Sequence, residues 1–323
     1  MRPTRPARRV LLAAALAAAV PGGAAQAAAW PPPRLRLLVA YPVGGLSSDV
    51  ARALAEVLAR QLGAPVVVEH RPGAGGTLAI DAIARAAGDG SLLAFSAITP
   101  LTLAPLLGPL PYDPRRDVQP VIGVMATPVL VVGTPALEAD DWPAMLALAR
   151  QRPGALRWAT SGIGTTGHLV LERTAEAAGI AVTHVPYKGG GQQITDALGG
   201  QFELLSTNLA PVPLRHVREG RLRALAVTGP QRHPALPQVP TLAERALPTA
   251  NLVSTFALFA PGATPPALVQ RLNRALDTAL ADPALRRLLQ QADNEVLGGS
   301  AEALAQRIES ERELHRAWLA RPR

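Results

Sequence analysis

Cysteine is absent from the 323 residues. That excludes a disulfide framework, a thiolate zinc or iron–sulfur centre, a cysteine nucleophile and a lipid anchor attached through cysteine. Aromatic residues make up only 3% and charged residues 17% of the chain. Scarce charge beside 48% apolar residues excludes a disordered polypeptide. Lysine is nearly missing too: Lys188 is the single example in an Arg-, Ala-, Pro- and Gly-rich background. Arg2, Arg5, Arg8 and Arg9 supply half of the formal net charge of +8, which leaves 28 basic and 24 acidic residues beyond the first 27. So small an excess, without arginine runs interleaved with aromatics, is no footprint for nucleic acid.

What is present begins with an export signature. Four arginines lead into the apolar stretch Val10 to Val20, then Pro21-Gly22-Gly23 and the small-x-small site Ala25-Gln26-Ala27. Residues 1–27 read as a three-part secretory signal cleaved near Ala27. Eleven apolar residues form a helix of roughly 16 Å, too short for a hydrocarbon core of ~30 Å. The protein is therefore expected in the periplasm, without a membrane anchor.

Strand and helix then alternate. The apolar run Leu35 to Ala40 precedes Tyr41-Pro42-Val43-Gly44-Gly45, and Val50, Ala53, Leu54, Val57, Leu58 and Leu62 recur at helical spacing until Gly63. Val66 to Val68, a helix over 78–87 and a strand over 92–96 follow. The pattern resumes with strand 156–160 and helix 168–178, then strand 182–185 and helix 192–198, with further strands near 202–205 and 222–227. Helices are predicted over 266–280, 284–291 and 301–319. Such alternation predicts α/β lobes with parallel strands. The apolar runs at 129–132 and 255–260 would serve as crossovers of a two-lobed clamshell. The expected division is 28–132 plus 255–323 for lobe 1 and 133–254 for lobe 2.

Ligands of open α/β sheets sit beyond the carboxyl ends of strands. Three strand-to-helix loops there are rich in Gly, Ser and Thr: Gly44 to Ser48, Ser161 to Thr166, and Lys188 to Gly191. Free amides and the positive end of a helix dipole make each an anion site. A single such loop is an ordinary turn with a cap; three converging from both halves point to an anion held between lobes. Gly162-x-Gly164-x-x-Gly167 matches the dinucleotide fingerprint literally, but the next strand ends in His184-Val185-Pro186-Tyr187, without the carboxylate that would hold the ribose. The six histidines have no metal-ligand spacing. No Gly-x-Ser-x-Gly elbow, nucleophile–base pair or paired carboxylates recommend catalysis. His168 at a helix start fits either an anion contact or a cap, and Lys188 either a chosen ammonium or a chance survivor. Many donors and little catalytic machinery indicate binding, with no enzyme activity, cofactor or metal expected.

Several stretches resemble the periplasmic receptors of tripartite tricarboxylate transporters, the Bug family: Arg71-Pro72-Gly73-Ala74-Gly75-Gly76, Asp89-Gly90, Gly167-His168-Leu169, Pro186-Tyr187-Lys188-Gly189, Leu236-Pro237-x-Val239-Pro240-Thr241 and Ala260-Pro261-Gly262-x-Thr264-Pro265. The likeness runs in order through the whole chain after residue 27. It implies a type II periplasmic-binding-protein fold that clamps a small carboxylate and hands it to a two-subunit membrane permease. A monomer is expected. The implied ligand contacts are Tyr41, Gly44, Gly45, Ser47 and Ser48 in the first loop, with Ser96. From the other half come Ser161, Gly162, Thr165, Thr166, His168, Lys188, Gly189, Thr207 and Asn208.

The chain departs from the family pattern where acids are usual, with Ser48 and Thr207 in their place. Without them a ligand ammonium lacks its partners, so a mono- or dicarboxylate is expected rather than an amino acid. A ligand-sensing receptor docking on a membrane sensor would share every one of these residues, and a periplasmic hydrolase would need a nucleophile–base pair that the sequence does not supply.

Overall fold

The computed structural model describes residues 30–291 and 294–321; the predicted signal at 1–27 and its cleavage site lie outside the described residues. In the first lobe β1 (Leu35–Val39) runs parallel to β2 (Val66–His70) on one side and β3 (Leu92–Ala97) on the other. Helix α1 (Leu46–Leu62) buries Val50, Leu54 and Leu58 against this sheet and stops at Gly63, whose φ of 63° is the left-handed C-cap geometry. Helix α2 (Thr77–Ala84) covers the opposite face with Ile80 and Ile83, and the short α3 (Thr99–Thr102) and α4 (Ala104–Leu107) follow β3.

β4 (Val118–Gly133) is one 16-residue strand that serves both lobes. The second lobe adds α5 (Trp142–Gln151), β5 (Arg157–Thr160), α6 (Thr166–Ala178), β6 (Thr183–Pro186), α7 (Gly190–Leu198), β7 (Leu204–Asn208), α8 (Pro211–Arg218) and β8 (Arg223–Val227). The chain returns through β9 (Val253–Pro261) to α9 (Pro266–Leu280), α10 (Pro283–Gln291), β10 (Glu295–Gly298) and α11 (Ala301–Leu319). The strand order is β2-β1-β3-β9-β4-β7-β5-β6, with β8 and β10 also on β4.

The sheets are mixed rather than purely parallel. Predicted parallel pairs appear as β2-β1-β3 and β6-β5-β7, whereas β9, β8 and β10 join antiparallel. From Val118 to Pro128, β4 pairs with β9; from Val129 to Gly133 it pairs with β7 and β8. Pro120 and Pro128 sit within β4, and the register shifts between Pro120 and Ile122, as a missing N–H in a strand requires. Besides the one-turn α3 and α4, two longer helices escaped the sequence reading. In α8 Pro211 and Pro213 fall in the first turn, where a missing N–H costs nothing. In α5 Asp141 caps the amide of Ala144 at 2.8 Å. No described helix is long and apolar enough to cross a membrane.

Candidate functional site

The two lobes face each other across a cleft of about 370 Å³. The first-lobe wall is the loop from Tyr41 into α1. Apolar residues hold the strand before it, so the loop is fixed from behind: His70 contacts the Tyr41 carbonyl through Nδ1 at 2.9 Å and the Ser48 hydroxyl through Nε2 at 3.4 Å. A carbonyl only accepts, so Nδ1 donates, and Nε2 of the neutral ring accepts from Ser48. The Tyr41 ring packs edge-on against Phe256, centroids 5.8 Å apart, and its hydroxyl accepts from the Ala97 amide at 3.3 Å. Burial raises its pKa, so the phenol stays protonated. Gly45 is the N-cap of α1 and no side chain caps that helix, so its first amides are left for the cleft.

The facing loop is fixed by a histidine pair. Thr160 Oγ1 accepts from the Gly162 amide at 3.2 Å and lies 2.7 Å from His184 Nε2. His184 stacks on His168 at 4.6 Å. Thr165 caps α6: its hydroxyl donates to the Gly162 carbonyl at 2.7 Å and accepts from the His168 amide at 3.3 Å. Burial first, then the neighbouring His168, pushes the His184 pKa down from 6.5 to about 4. Between those pH values the unfolded chain binds a proton that the fold refuses, so stability falls as pH drops from 6.5 to 4. Thermal melts across that window should show the decline, and His184→Asn should shrink it; equal losses in both proteins would contradict this assignment.

Two further helix starts open on the cleft without side-chain caps, α7 after Gly189 and α8 after Ala210. Gln193 was missed by sequence reasoning. It is fully buried in the lining, donates through Nε2 to Thr207 Oγ1 at 3.0 Å, and leaves Oε1 without a partner. An orphaned buried amide oxygen is costly unless a water or ligand satisfies it. His216, also missed, lines the cleft with Nδ1 3.1 Å from Glu219 Oε2. Its only signal was a place four residues after Val212 on an amphipathic helix. At the cleft floor Ser254 donates to Asn208 Oδ1 at 2.9 Å, joining the two sheets.

Of the residues singled out from sequence, Tyr41, Gly44, Gly45, Ser47, Ser161, Thr165, Thr166, Thr207 and Asn208 line the cleft together. The others lie elsewhere. Ser48 is fully buried with its hydroxyl on His70, and Ser96 is buried in β3 beneath Tyr41. His168 is turned to His184 and Glu172. Lys188 is exposed outside the lining. Gly162 and Gly189 belong to the seams where the lobes touch. A Cβ on Gly189 would come within 2.5 Å of Pro42, and one on Gly75 within 2.5 Å of the Ile163 carbonyl. These loops therefore meet closely, backbone against backbone at Gly75 and against the Pro42 ring at Gly189. Asp49 lines the mouth, paired with Arg52.

Residues 50–319 match the model of the tripartite tricarboxylate transporter family receptor. Protein BugT of Bordetella pertussis is 38% identical over 253 residues, 78% of this chain and 77% of that protein. A solved structure of Rhodopseudomonas palustris Rpa4515 with adipate superposes with a TM-score of 0.81 at 31% identity, covering 88% of this chain and 95% of that one. MatC (Rpa3494) from the same species, with bound malate, gives a TM-score of 0.81 at 28% identity over 87% and 98% of the two chains.

Proposed function

We propose, because this chain belongs to the tripartite tricarboxylate transporter receptor family, that it is a periplasmic receptor which closes on a small organic carboxylate and delivers it, as a monomer, to a two-subunit membrane permease. The observation that carries this reading is the convergence of three helix starts, α1, α6 and α7, on one cleft between two lobes. Two of them lack side-chain caps. Amides and dipoles so arranged favour an anion. The family is one of receptors rather than enzymes, and the adipate- and malate-bound relatives carry dicarboxylates.

We read the lobes as dividing near residues 128–133 and 253–255, where β4 changes partners and β9 begins. The ligand bridges the lobes, binds the closed state better and shifts the population toward it. Contacts fall to Tyr41, Gly44, Gly45 and Ser47 on one side and to Ser161, Thr165, Thr166, Thr207 and Asn208 on the other, with Gln193 added. Ser48, Gly162, His168 and Gly189 hold these loops in place. A few charge-assisted hydrogen bonds of about 1.5–3 kcal/mol each suffice for micromolar affinity after the cost of ordering.

A thermal-shift screen tests the reading. At a hundredfold excess over Kd a carboxylate adds about 2.7 kcal/mol, which raises Tm by roughly 5 °C or more for a chain of this size. Aspartate and glutamate should shift it less than acids lacking an amino group; a larger shift would overturn that expectation, and no shift by any acid would end the carboxylate reading. Lys188→Ala should weaken binding about two- to fivefold at low salt and scarcely at 0.5 M. Its exposed charge acts at long range and is screened. Titration at both salt levels checks this, and an effect independent of salt would contradict it.

A further inference from the structure

Helix α7 gives the cleft a direction. It presents Gly190, Ile194 and Leu198 along one row, at i, i+4 and i+8, so the row spans about 12 Å at 1.5 Å per residue. Its first turn offers uncapped amides, and its last offers an apolar side chain. Leu198 shares an apolar cluster with Leu214 and Val217 of α8, and Val212 and Pro213 of the same helix line the cleft, as does Leu288 of α10. Among the described lining residues there is no lysine or arginine, and Asp49 at the mouth is already paired with Arg52.

Apart from the protonated Tyr41 phenol, His216 is the only other titratable group among the described lining residues, and its Nδ1 is held 3.1 Å from the Glu219 carboxylate. A second ligand carboxylate at this end would meet a ring shared with an acid, and its burial against Leu198 would go uncompensated. A cleft of about 370 Å³ lies within the range that encloses drug-sized ligands, and a four-carbon acid would leave the apolar wall wet. Val212 is 45% exposed, so the apolar end opens outward.

We propose, resting on the carboxylate-receptor reading, that the preferred ligand carries one negative charge on an apolar tail, about eight carbons in all. The carboxylate sits on the starts of α1, α6 and α7, and the tail lies along α7 past Ile194 toward Leu198 and α8.

Isothermal titration at pH 7 with unbranched monocarboxylates from butanoate to decanoate, and with malate, succinate and adipate, tests it. Affinity should rise roughly fourfold per methylene up to eight carbons and level off beyond, where the tail emerges. Octanoate should bind at least tenfold tighter than adipate, and Leu198→Asn should flatten the dependence on chain length. The wild-type series is decisive even if that variant does not fold. A flat series, or a dicarboxylate binding more tightly than octanoate, overturns this inference while the receptor reading stands. If no carboxylate of either series binds, both fall.

Discussion

Replacing Gly75 and Gly189 together by alanine should lower ligand affinity roughly a hundredfold while each lobe stays folded. Gly75 has a φ of 63°, a region unfavourable to side chains, and its added Cβ would lie 2.5 Å from the Ile163 carbonyl of the other lobe. The Cβ added at Gly189 would lie 2.5 Å from the Pro42 ring, again across the lobes. Backbone and a proline ring have little room to yield. Each overlap costs about 1–3 kcal/mol, and two separate contacts add, which gives a factor of the order of a hundred. On the proposed opening the loops part and both overlaps vanish, so that part of the penalty falls on closure, whereas the φ strain at Gly75 is carried by both states. Calorimetric titration gives the affinity, and ligand-free melting should move by no more than a few degrees. Unchanged affinity would show that the lobes close without these seams. A collapse of the ligand-free melting point would show that the two glycines serve the fold and not the closure.

Arg173→Ala should lower the melting temperature by about 3–7 °C. Helix α11 begins on the first lobe, where Leu304 and Ile308 join its core and Arg312 donates to the Leu101 carbonyl at 2.9 Å. Its last turns reach the second lobe. There Arg173 of α6 donates to the Thr249 carbonyl at 2.9 Å and to His315 Nδ1 at 3.0 Å, and its guanidinium lies 4.8 Å from the Trp318 ring centroid. Because arginine only donates, His315 accepts at Nδ1 and carries its proton at Nε2, 3.3 Å from Glu311. Glu311 in turn accepts from Thr102 of α3 at 2.9 Å. Burial lowers the Arg173 pKa to about 10, with Arg321 adding to the effect and Glu311 and Glu176 opposing it; the group remains cationic at neutral pH. Losing the cation–π contact and two buried hydrogen bonds costs about 2–4 kcal/mol, which sets the expected drop in a chain of this length. Arg173→Lys should recover part of it, since an ammonium cannot reach all three partners at once. A melting point within 1 °C of wild type would mean that α11 does not strap the lobes together.

The seams and the strap account for what was legible and what was not. Residues near in sequence announce themselves. The apolar run before Tyr41, the periodic α1 ending at Gly63, the Gly-Ser-Thr loops at 44–48 and 161–166, and the amphipathic α9 and α11 follow from local propensity and spacing. The resemblance of the ordered motifs to the Bug receptors rests on the same text. Proline inside β4 and at the start of α8 misled that reading, because only a partner strand or a helix axis shows that a missing N–H is harmless there.

Which side chain meets the ligand is not a local property. Ser48 and Ser47 are neighbours of one residue type, yet His70, 22 positions away, takes the hydroxyl of Ser48 and leaves Ser47 in the lining. Gln193 carries no signal in the sequence; only the packed structure shows Thr207 taking its amide and leaving its buried oxygen without a partner. The amino-acid order by itself determined the α/β alternation and the Gly-, Ser- and Thr-rich helix starts, since each depends on a few consecutive residues. Tertiary structure alone decided where β4 changes lobes, that α11 joins them and which donors face the cleft. Those outcomes hang on contacts between residues far apart in the chain, whose meeting is fixed only when both sheets are packed.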